Sequence, residues 1–429
     1  MINKNPEKRF IYCSPYLKEL DRIIQTTGSK RFHAPEYQIE DIETQSKTRT
    51  TKLESYNVLL RSKVDIASTH CNFLNANEAT KSLLRDAHYT LLIDETLDVV
   101  QPFDAISSVA DCERQKIDAD DIKNLLNCGY IQISEETCQV RWIGDHWAQF
   151  SELEKLSKRG GVYCAKNSML LYVFDPEVFS YFTDVYVFTY GFVGTPMRAY
   201  FDKYEIPYEV LSVKKTGKEY QLTEYCIEAE YAFRQYVKSL ITIYTGKHIY
   251  PKTTLCKSWT EKADEKKLNI LRSSMEDFFR RIAHTRCKDA MWSCVESCMK
   301  KLQPKGYVRI RGLTKQENKL PDKSREKLRE SLRCFVPCNA RASNDFKSRR
   351  ALAYCLNLYP PVDLESFFTS TGKRVSFSRD QFAIQSLIQW IFRSCIRDGK
   401  PIDLFLPSQR MQKLLASWLD GEDLLKKAA

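Results

Sequence analysis

The feature of this sequence that most constrains its fold is an alternation of short apolar runs with longer amphipathic stretches. The runs are rich in β-branched and aromatic residues, and each ends in polar or turn-forming residues. Buried strands of parallel sheets have this continuous apolar character, and the stretches between them are typical of crossover helices. The candidate strands span 10–13, 64–68, 90–93, 185–189, 351–358 and 402–406. The sequence therefore predicts an α/β protein built on mostly parallel sheets.

The chain of 429 residues is too long for one ordinary hydrophobic core. We predict two parallel-sheet domains in tandem, at 1–200 and 201–429. Two regions interrupt the strand and helix alternation and are interpreted as insertions, at about 101–175 and about 261–333. The first is predicted to carry a hairpin at 131–134 and 140–143, and the second is predicted to carry helices at 261–282, 287–302 and 323–332.

The composition indicates a globular protein with reduced cysteines. No apolar run reaches the roughly 18 residues that a membrane span requires, and the first residues lack the apolar core of a signal peptide. Fifteen cysteines at irregular spacing in a chain of this size indicate free thiols rather than a disulfide framework. We therefore expect a cytoplasmic protein without a membrane partner; the sequence predicts no oligomeric state.

Charge is distributed unevenly along the chain. Residues 1–200 carry 23 Lys and Arg against 28 Asp and Glu, a net charge of −5, whereas residues 201–429 carry 43 against 27, a net charge of +16. Because lysine and arginine neutralise phosphates, the second half is the expected site for a polyanion, and DNA is the expected partner. A basic half also occurs in proteins that bind no nucleic acid.

The strongest local motif is the apolar run 90–93 followed by Asp94 and Glu95. Nucleotide-hydrolysing motors place two carboxylates at the end of a buried strand in this way. The first holds hydrated Mg²⁺ and the second polarises the attacking water. The alternative is a structural strand followed by an acidic turn, which is common in proteins without this activity.

Further short elements occur in a defined order along the chain. One predicted strand ends in Ser14-Pro15, a second ends near Thr69-His70, and Thr189 follows a third. In the second half, a segment with Arg341 and Asn344 comes before Gln389, Arg393 and Arg397, which lie near the C-terminus. Together with Asp94 and Glu95, this order resembles the motor core of superfamily 2 (DEAD/DEAH-like) helicases. The turn Pro407-Ser408-Gln409-Arg410-Met411 is similar to that of helicases encoded by phages and prophages.

The resemblance implies two RecA-like domains that couple ATP hydrolysis to movement on DNA. Asp94 would then hold Mg²⁺, Glu95 would act as the base, and Arg393 and Arg397 would stabilise the transferred charge. The remaining positions divide into two sets. The resemblance assigns nucleotide binding to Gln389, Thr189 and Asn344. It assigns nucleic-acid binding to Ser14, Pro15, Thr69, His70 and Arg341. Arg393 and Arg397 are four apart rather than the family's three, a spacing that still keeps both on one face if they lie on a helix.

One family element is missing from this sequence. A phosphate-binding loop needs Gly-x-x-x-x-Gly-Lys-Ser/Thr, and none of the four Gly-Lys pairs, at 217, 246, 372 and 399, has the required upstream glycine. In the family the loop precedes the strand that ends in Ser14-Pro15, so we expect it upstream of Met1. The expectation for this chain is weak ATP binding and little hydrolysis. The alternative is a non-catalytic nucleic-acid-binding or scaffold protein that keeps a degenerate helicase fold.

Two further groups of residues have structural explanations. His284, Cys287, Cys294 and Cys298 have spacings that place them along one predicted helix, where they are too extended to close a tetrahedral zinc site. Trp259, Trp292 and Trp390 could stack on bases, although burial in the core is the favoured interpretation. A basic surface within 261–333 is the better candidate for tracking a nucleic-acid backbone, with a solvated face as its alternative.

Overall fold

The computed structural model describes residues 2–27, 32–36, 38–40, 47–106, 117–165, 169–217, 219–248, 250–314, 316–340 and 345–424. The chain divides into two compact units. The first comprises Met1–Tyr208 with Pro361–Phe377, and the second comprises Glu209–Pro360 with Ser378–Ala429. None of the helices in these described ranges combines the length and apolar character needed to cross a membrane.

The first unit is a mixed α/β structure. Its strands are β1 (Arg9–Ser14), β2 (Phe32–His33), β3 (Gln38–Glu40), β4 (Lys47–Arg49), β5 (Asp65–Thr69), β6 (Tyr89–Asp94), β7 (Val100–Pro102), β8 (Ile131–Ile133), β9 (Val140–Trp142), β10 (Val162–Ala165), β11 (Met169–Val173) and β12 (Asp184–Phe188). Its helices are α1 (Leu17–Thr26), α2 (Lys52–Arg61), α3 (His70–Leu74), α4 (Glu78–Arg85), α5 (Ala119–Asn127), α6 (Ser151–Lys158) and α7 (Pro196–Lys203), and a further helix spans Val362–Ser370.

Five strands form the main sheet of this unit, in the order β12-β6-β1-β5-β2, and all neighbours are parallel. Strands β1, β5 and β6 are almost completely buried, which explains their continuous apolar sequences. After β1 the chain places β2 and β5 on one side of it, then β6 and β12 on the other. The order therefore reverses between β1 and β6, and such a switch point is where parallel sheets bind ligands.

The region 101–175 has a hydrophobic cluster of its own. The hairpin β8–β9 is present, as the sequence predicted, and β7, β10 and β11 form a separate three-stranded sheet. The buried residues of this region pack together, among them Ile122, Val140, Leu153 and Val162. An insertion with its own core can be added to a sheet without changing the order of the main strands.

The second unit has a four-stranded parallel sheet. Its strands are β13 (Leu211–Thr216), β14 (Glu219–Glu224), β15 (Ile241–Tyr244), β16 (Ala290–Ser293), β17 (Ala351–Tyr354) and β18 (Ile402–Phe405). Its helices are α8 (Ile227–Ser239), α9 (Lys257–Lys262), α10 (Glu265–Asp277), α11 (Met299–Leu302), α12 (Asp322–Ser331), α13 (Arg379–Ile391) and α14 (Gln409–Leu419), and a π-helical turn, Phe278–Ile282, continues α10. The sheet order is β15-β18-β17-β16, and β13–β14 is an antiparallel hairpin.

The predicted helix at 287–302 is wrong. The segment contains a short 3-10 turn, Cys287–Asp289, then strand β16, then a second 3-10 turn and the four-residue helix α11. All four residues of β16 are buried. A fully buried strand of four residues shows no alternation, so its sequence cannot be told from a buried helical turn by periodicity. The region interpreted as a helical insertion therefore contributes a strand to the sheet.

Candidate functional site

Asp94 is the last residue of β6 and lies at the carboxyl edge of the main sheet, at the switch point. Its Oδ2 accepts hydrogen bonds from the Tyr12 hydroxyl at 3.0 Å and from Ser14 Oγ at 3.2 Å. Ser14 is fully buried and Asp94 is partly exposed. Two hydroxyl groups on the neighbouring strand β1 therefore fix the carboxylate through Oδ2.

The environment of Tyr12 suits a hydrogen-bond donor. Burial and the charge of Asp94 raise the pKa of the Tyr12 hydroxyl above its ordinary value, so the group stays protonated at neutral pH. A protonated phenol donates to a carboxylate without adding negative charge beside it.

Glu95 has an unusual backbone conformation. Its φ of 65° lies in the left-handed region, which costs a residue with a side chain roughly 1–2 kcal/mol. The backbone N–H of Glu95 donates to the Phe188 carbonyl at 3.0 Å, and Thr189 Oγ1 donates to Glu95 Oε2 at 3.0 Å. Contacts from the end of β12 thus hold a strained turn, a combination that is common at functional sites.

The sequence-predicted residues Ser14, Thr189, Asp94 and Glu95 therefore lie together. The parallel register aligns the carboxyl ends of β1, β6 and β12, because Cys13 pairs with Ile93 and Phe188 pairs with Asp94. Pro15 follows directly and is partly exposed. The arrangement can hold a divalent cation on one carboxylate and present the second carboxylate as a base, since Mg²⁺ is commonly held by one or two carboxylates plus substrate phosphates.

Thr69 and His70 lie at the end of β5, the next strand of the sheet. The Thr69 side chain accepts a hydrogen bond from the Asn72 backbone N–H at 3.2 Å and caps α3. His70, the first residue of α3, is 6% exposed. The imidazole is therefore enclosed in the fold, whereas Thr69 is partly exposed.

In the second unit, Gln389 lies in the last turn of α13, and Arg393 and Arg397 follow this helix. The two arginines do not lie on one helix, so their spacing of four does not place them on one helix face. The helix ends at Ile391, and Ser394, whose side chain accepts a hydrogen bond from the Ile396 N–H, starts a new 3-10 turn. Arg393 is half-buried and Arg397 is exposed. Arg341 and Asn344 lie outside the described residues, and the role of Arg393 and Arg397 in stabilising the transferred charge stays a prediction.

The second unit also has a cleft that the sequence did not predict. Its volume is about 530 Å³, and it lies between the turn that follows β15 and one face of α10. Its polar lining includes Lys247, His248, Lys266 and Ser273. Gly246, with a φ of 80°, makes the turn. The position of the pair directly after the carboxyl end of a strand is the signal that points to a cleft.

The other candidate groups have the following positions. Trp292 and Trp390 are buried in the core, at 1% and 0% exposure, so they are not exposed base-stacking platforms. His284, Cys287, Cys294 and Cys298 do not share a helix, because β16 separates them. No three His, Cys, Asp or Glu side chains are grouped as metal ligands within the described ranges.

Two comparisons with known proteins place the chain in a family. Residues 235–419, most of the second unit, match the family model of the YonV C-terminal Rossmann-like domain. Over 427 residues the chain is 30% identical to the SPbeta prophage-derived uncharacterized protein YonV of Bacillus subtilis (strain 168), a match that covers 98% of this chain and 95% of that protein. The chain belongs to the YonV family. The predicted relation to prophage-encoded proteins is thereby confirmed, and so is an α/β fold with parallel sheets.

The Rossmann-like domain of the YonV family corresponds to a large part of the second unit. The matched range begins within α8 and ends at the last residue of α14, so it includes all four strands of the parallel sheet. Gln389, Arg393 and Arg397 lie inside the range, whereas Asp94 and Glu95 lie in the first unit, outside it.

Proposed function

We propose that this protein is a nucleic-acid motor of the superfamily 2 helicase type, built on two RecA-like units, that couples hydrolysis of Mg²⁺-ATP to movement on DNA. The observation that carries the proposal is the geometry of Asp94 and Glu95. Both carboxylates lie at the switch point of a parallel sheet. The hydroxyl groups of Tyr12 and Ser14 on β1 bind Asp94, and that of Thr189, just after β12, binds Glu95. A purely structural acidic turn requires neither these hydroxyl contacts nor the left-handed backbone of Glu95.

Each residue has a defined role in this proposal. Asp94, fixed through Oδ2 by Tyr12 and Ser14, would hold Mg²⁺ directly or through its water ligands. Mg²⁺ supplies charge neutralisation at the phosphates. Glu95 accepts a proton from the attacking water, and Thr189 orients the Glu95 carboxylate through Oε2.

The helicase resemblance supplies the roles in the second unit. Arg393 and Arg397 stabilise charge on the transferred phosphoryl group, and Gln389 senses the nucleotide. Since no Gly-Lys pair of this sequence forms the phosphate-binding pattern, we expect Mg²⁺-ATP to bind weakly and turn over slowly.

The proposed nucleic-acid surface lies in the second unit. Exposed basic side chains between residues 280 and 311 suit a surface that follows a phosphate backbone; they include Arg280, Arg281, Arg286, Lys300, Lys301, Lys305, Arg309 and Arg311. Some of them are also engaged within the protein; Arg311, for example, forms an ion pair with Glu317 at 2.7 Å. Lys300, Lys301 and Lys305 are the most useful positions for a test, because their short spacing allows one combined variant.

A second candidate function is non-catalytic nucleic-acid binding. The absence of the phosphate-binding pattern from the sequence favours it. It predicts salt-sensitive DNA binding that responds neither to ATP nor to substitution of Glu95. The motor proposal predicts that ATP changes the affinity for DNA, because nucleotide and nucleic acid bind to coupled states of one protein.

Replacing Thr189 with Val is expected to slow ATP turnover by about 10- to 100-fold with little change in KM. The substitution keeps the size of the side chain and removes the hydroxyl that positions Glu95 Oε2. Steady-state turnover at millimolar Mg²⁺-ATP, with single-stranded DNA, measures the effect. Thr183→Val, just before β12, is the matched control. Equal turnover in wild type and Thr189→Val contradicts the role given to Thr189.

Replacing Lys300, Lys301 and Lys305 together with Gln is expected to reduce the salt dependence of DNA binding. Each lysine that neutralises a phosphate contributes about 0.7 to the slope of log K against log salt for a single strand, so the slope falls by about 2. Fluorescence anisotropy with a labelled oligonucleotide across a salt series gives the slope. The control replaces Lys123, Lys155 and Lys158 of the first unit, which are paired with acidic neighbours. The surface is wrongly assigned if both triple variants change the slope equally.

A further inference from the structure

Cys287 and Cys334 form a close thiol pair in the second unit. Their Sγ atoms lie 3.0 Å apart, although the residues are 47 positions apart in the chain. Cys287 begins the 3-10 turn before β16, and Cys334 lies in the segment that runs beside β16, where its carbonyl accepts a hydrogen bond from the Trp292 N–H at 2.8 Å. Main-chain pairing therefore holds the two sulfur atoms together.

The two thiols differ in exposure. Cys287 is partly exposed, whereas Cys334 is completely buried. A reagent from solution can therefore reach Cys287 first, and Cys334 is placed to react only with Cys287. This asymmetry is the arrangement expected of an attacking and a resolving cysteine.

A buried arginine lies beside the pair. Arg349 is 0% exposed, and its Nη1 donates to the Cys287 carbonyl at 3.3 Å and also to the Lys288 carbonyl. Its Nε and Nη2 are buried without a hydrogen-bond partner among the described residues. A buried guanidinium keeps its charge, so it favours a negative charge nearby.

The neighbours of Cys287 favour its thiolate. A hydrogen bond with Cys334, followed by the charge of Arg349, lowers the pKa of the Cys287 thiol to about 7. The bond to Cys287 and burial raise the pKa of Cys334, so the proton that remains when the pair loses one stays on Cys334. Cys287 Sγ also contacts the Arg309 carbonyl at 2.8 Å. Tyr307 interacts electrostatically with both thiols, and Asp289 with Arg349.

We propose that Cys287 and Cys334 are a thiol-oxidation site that reacts with low-molecular-weight disulfides. The Cys287 thiolate attacks one sulfur of the disulfide, whose S–S bond breaks, and one thiolate leaves and takes a proton from water. The Cys334 sulfur then attacks Cys287 Sγ, and the second thiol leaves with the Cys334 proton. The protein pair loses two electrons, the external disulfide gains them, and one intramolecular disulfide forms.

The bond would close a loop over residues 287–334. This loop carries α11, α12 and the exposed residues Lys300, Lys301, Lys305, Arg309 and Arg311. Oxidation would therefore restrain the segment that presents part of the basic surface.

Oxidised glutathione is the probe for this proposal. The full chain is treated at pH 7, blocked with iodoacetamide and digested without reduction, and the peptides are identified by mass spectrometry. The expected product is a peptide pair linked through Cys287 and Cys334. Cys334→Ser is expected to stop at a stable glutathione adduct on Cys287, and Cys287→Ser is expected to leave Cys334 unmodified.

Cys128, an exposed thiol of the first unit, is the internal control. At pH 7 a larger fraction of Cys287 than of an ordinary thiol is thiolate, which raises its reactivity. Its thiolate is a weaker nucleophile, so the net reactivity is roughly threefold that of an ordinary thiol. A glutathione adduct that persists on Cys287 of the wild-type chain, or a Cys287 that reacts more slowly than Cys128, overturns the proposal.

Discussion

Replacing Glu95 with Gln is expected to reduce DNA-stimulated ATP turnover by about 10²-fold or more. Positioned general bases contribute about 10²–10⁴ to a rate, and Gln keeps the size of the side chain while it removes the proton acceptor. Gln can still accept the hydrogen bond from Thr189, so the local geometry should survive. Phosphate release at high Mg²⁺-ATP gives the rate, and anisotropy with a fluorescent nucleotide verifies that binding is retained.

The matched control for this experiment is Asp86→Asn, a substitution of an exposed carboxylate in the same unit that ends α4. It removes one negative charge, as Glu95→Gln does, and should leave turnover unchanged. If wild type hydrolyses no ATP while its DNA binding is unaffected by ATP, the non-catalytic function is the correct one. Robust turnover that survives Glu95→Gln would assign catalysis to other residues.

The sequence predicts the strand that precedes the acidic pair, because the apolar run 90–93 is buried along its full length. It does not predict the Tyr12 contact to Asp94. Tyr12 and Ser14 lie two apart, on the same face of β1, and the register with β6 sets Ser14 beside Asp94. Register between parallel strands depends on long-range packing, so a single sequence carries no local signal for it.

The pairing of Pro361–Phe377 with the first unit likewise has no local signal. The segment follows 152 residues of the second unit in the chain, yet it contacts α7 and neighbouring residues. Lys203 donates to the Thr371 carbonyl and, at 2.9 Å, to the Lys373 carbonyl, and Arg198 donates to the Ser376 carbonyl at 2.9 Å. Main-chain carbonyls accept these bonds, and a carbonyl is present at every residue, so side-chain patterns cannot predict them.

Arg393 and Arg397 show a different limit of sequence-based prediction, namely that residue spacing alone does not reveal where a helix ends. Their spacing suits a helix, and the apolar periodicity of α13 continues up to Ile391. Ser394 and Gly399 determine where the helix ends. The Ser394 side chain accepts a hydrogen bond from the Ile396 N–H of a new 3-10 turn, and Gly399 closes that turn with a φ of 71°. Both signals are present in the sequence, and the capping tendency of serine outweighs the helical spacing.

Replacing Arg410 with Ala is expected to lower the free energy of unfolding of the second unit by about 3 kcal/mol. Arg410 lies in the turn that resembles phage helicases, and its side chain is 4% exposed. It donates to Asp380 Oδ1 at 2.7 Å, to Asn357 Oδ1 at 3.0 Å and to the Leu358 carbonyl at 2.8 Å. It thus connects α14 to the start of α13 and to the segment after β17.

Most of this cost comes from the acceptors that the substitution leaves without a donor. Asp380 is 60% exposed, so water solvates its carboxylate when Arg410 is removed, and the ion pair itself contributes little. Asn357 is 2% exposed and cannot be solvated in the same way. Arg410→Lys should recover only part of the loss, because one ammonium group cannot reach acceptors on three segments.

Urea unfolding followed by circular dichroism gives the free energy, with Arg281→Ala as the control. Arg281 has a 79% exposed side chain and a weak contact with Asp277, so its removal should change stability by less than about 0.5 kcal/mol. A loss at Arg410 as small as that at Arg281 would show that the buried hydrogen bonds do not hold these segments together. A large loss of stability with unchanged nucleotide binding by the protein that remains folded would show that the Pro407–Met411 turn has a structural role and no role in catalysis. The similarity of this turn to phage helicases would then reflect a shared way of holding these segments together.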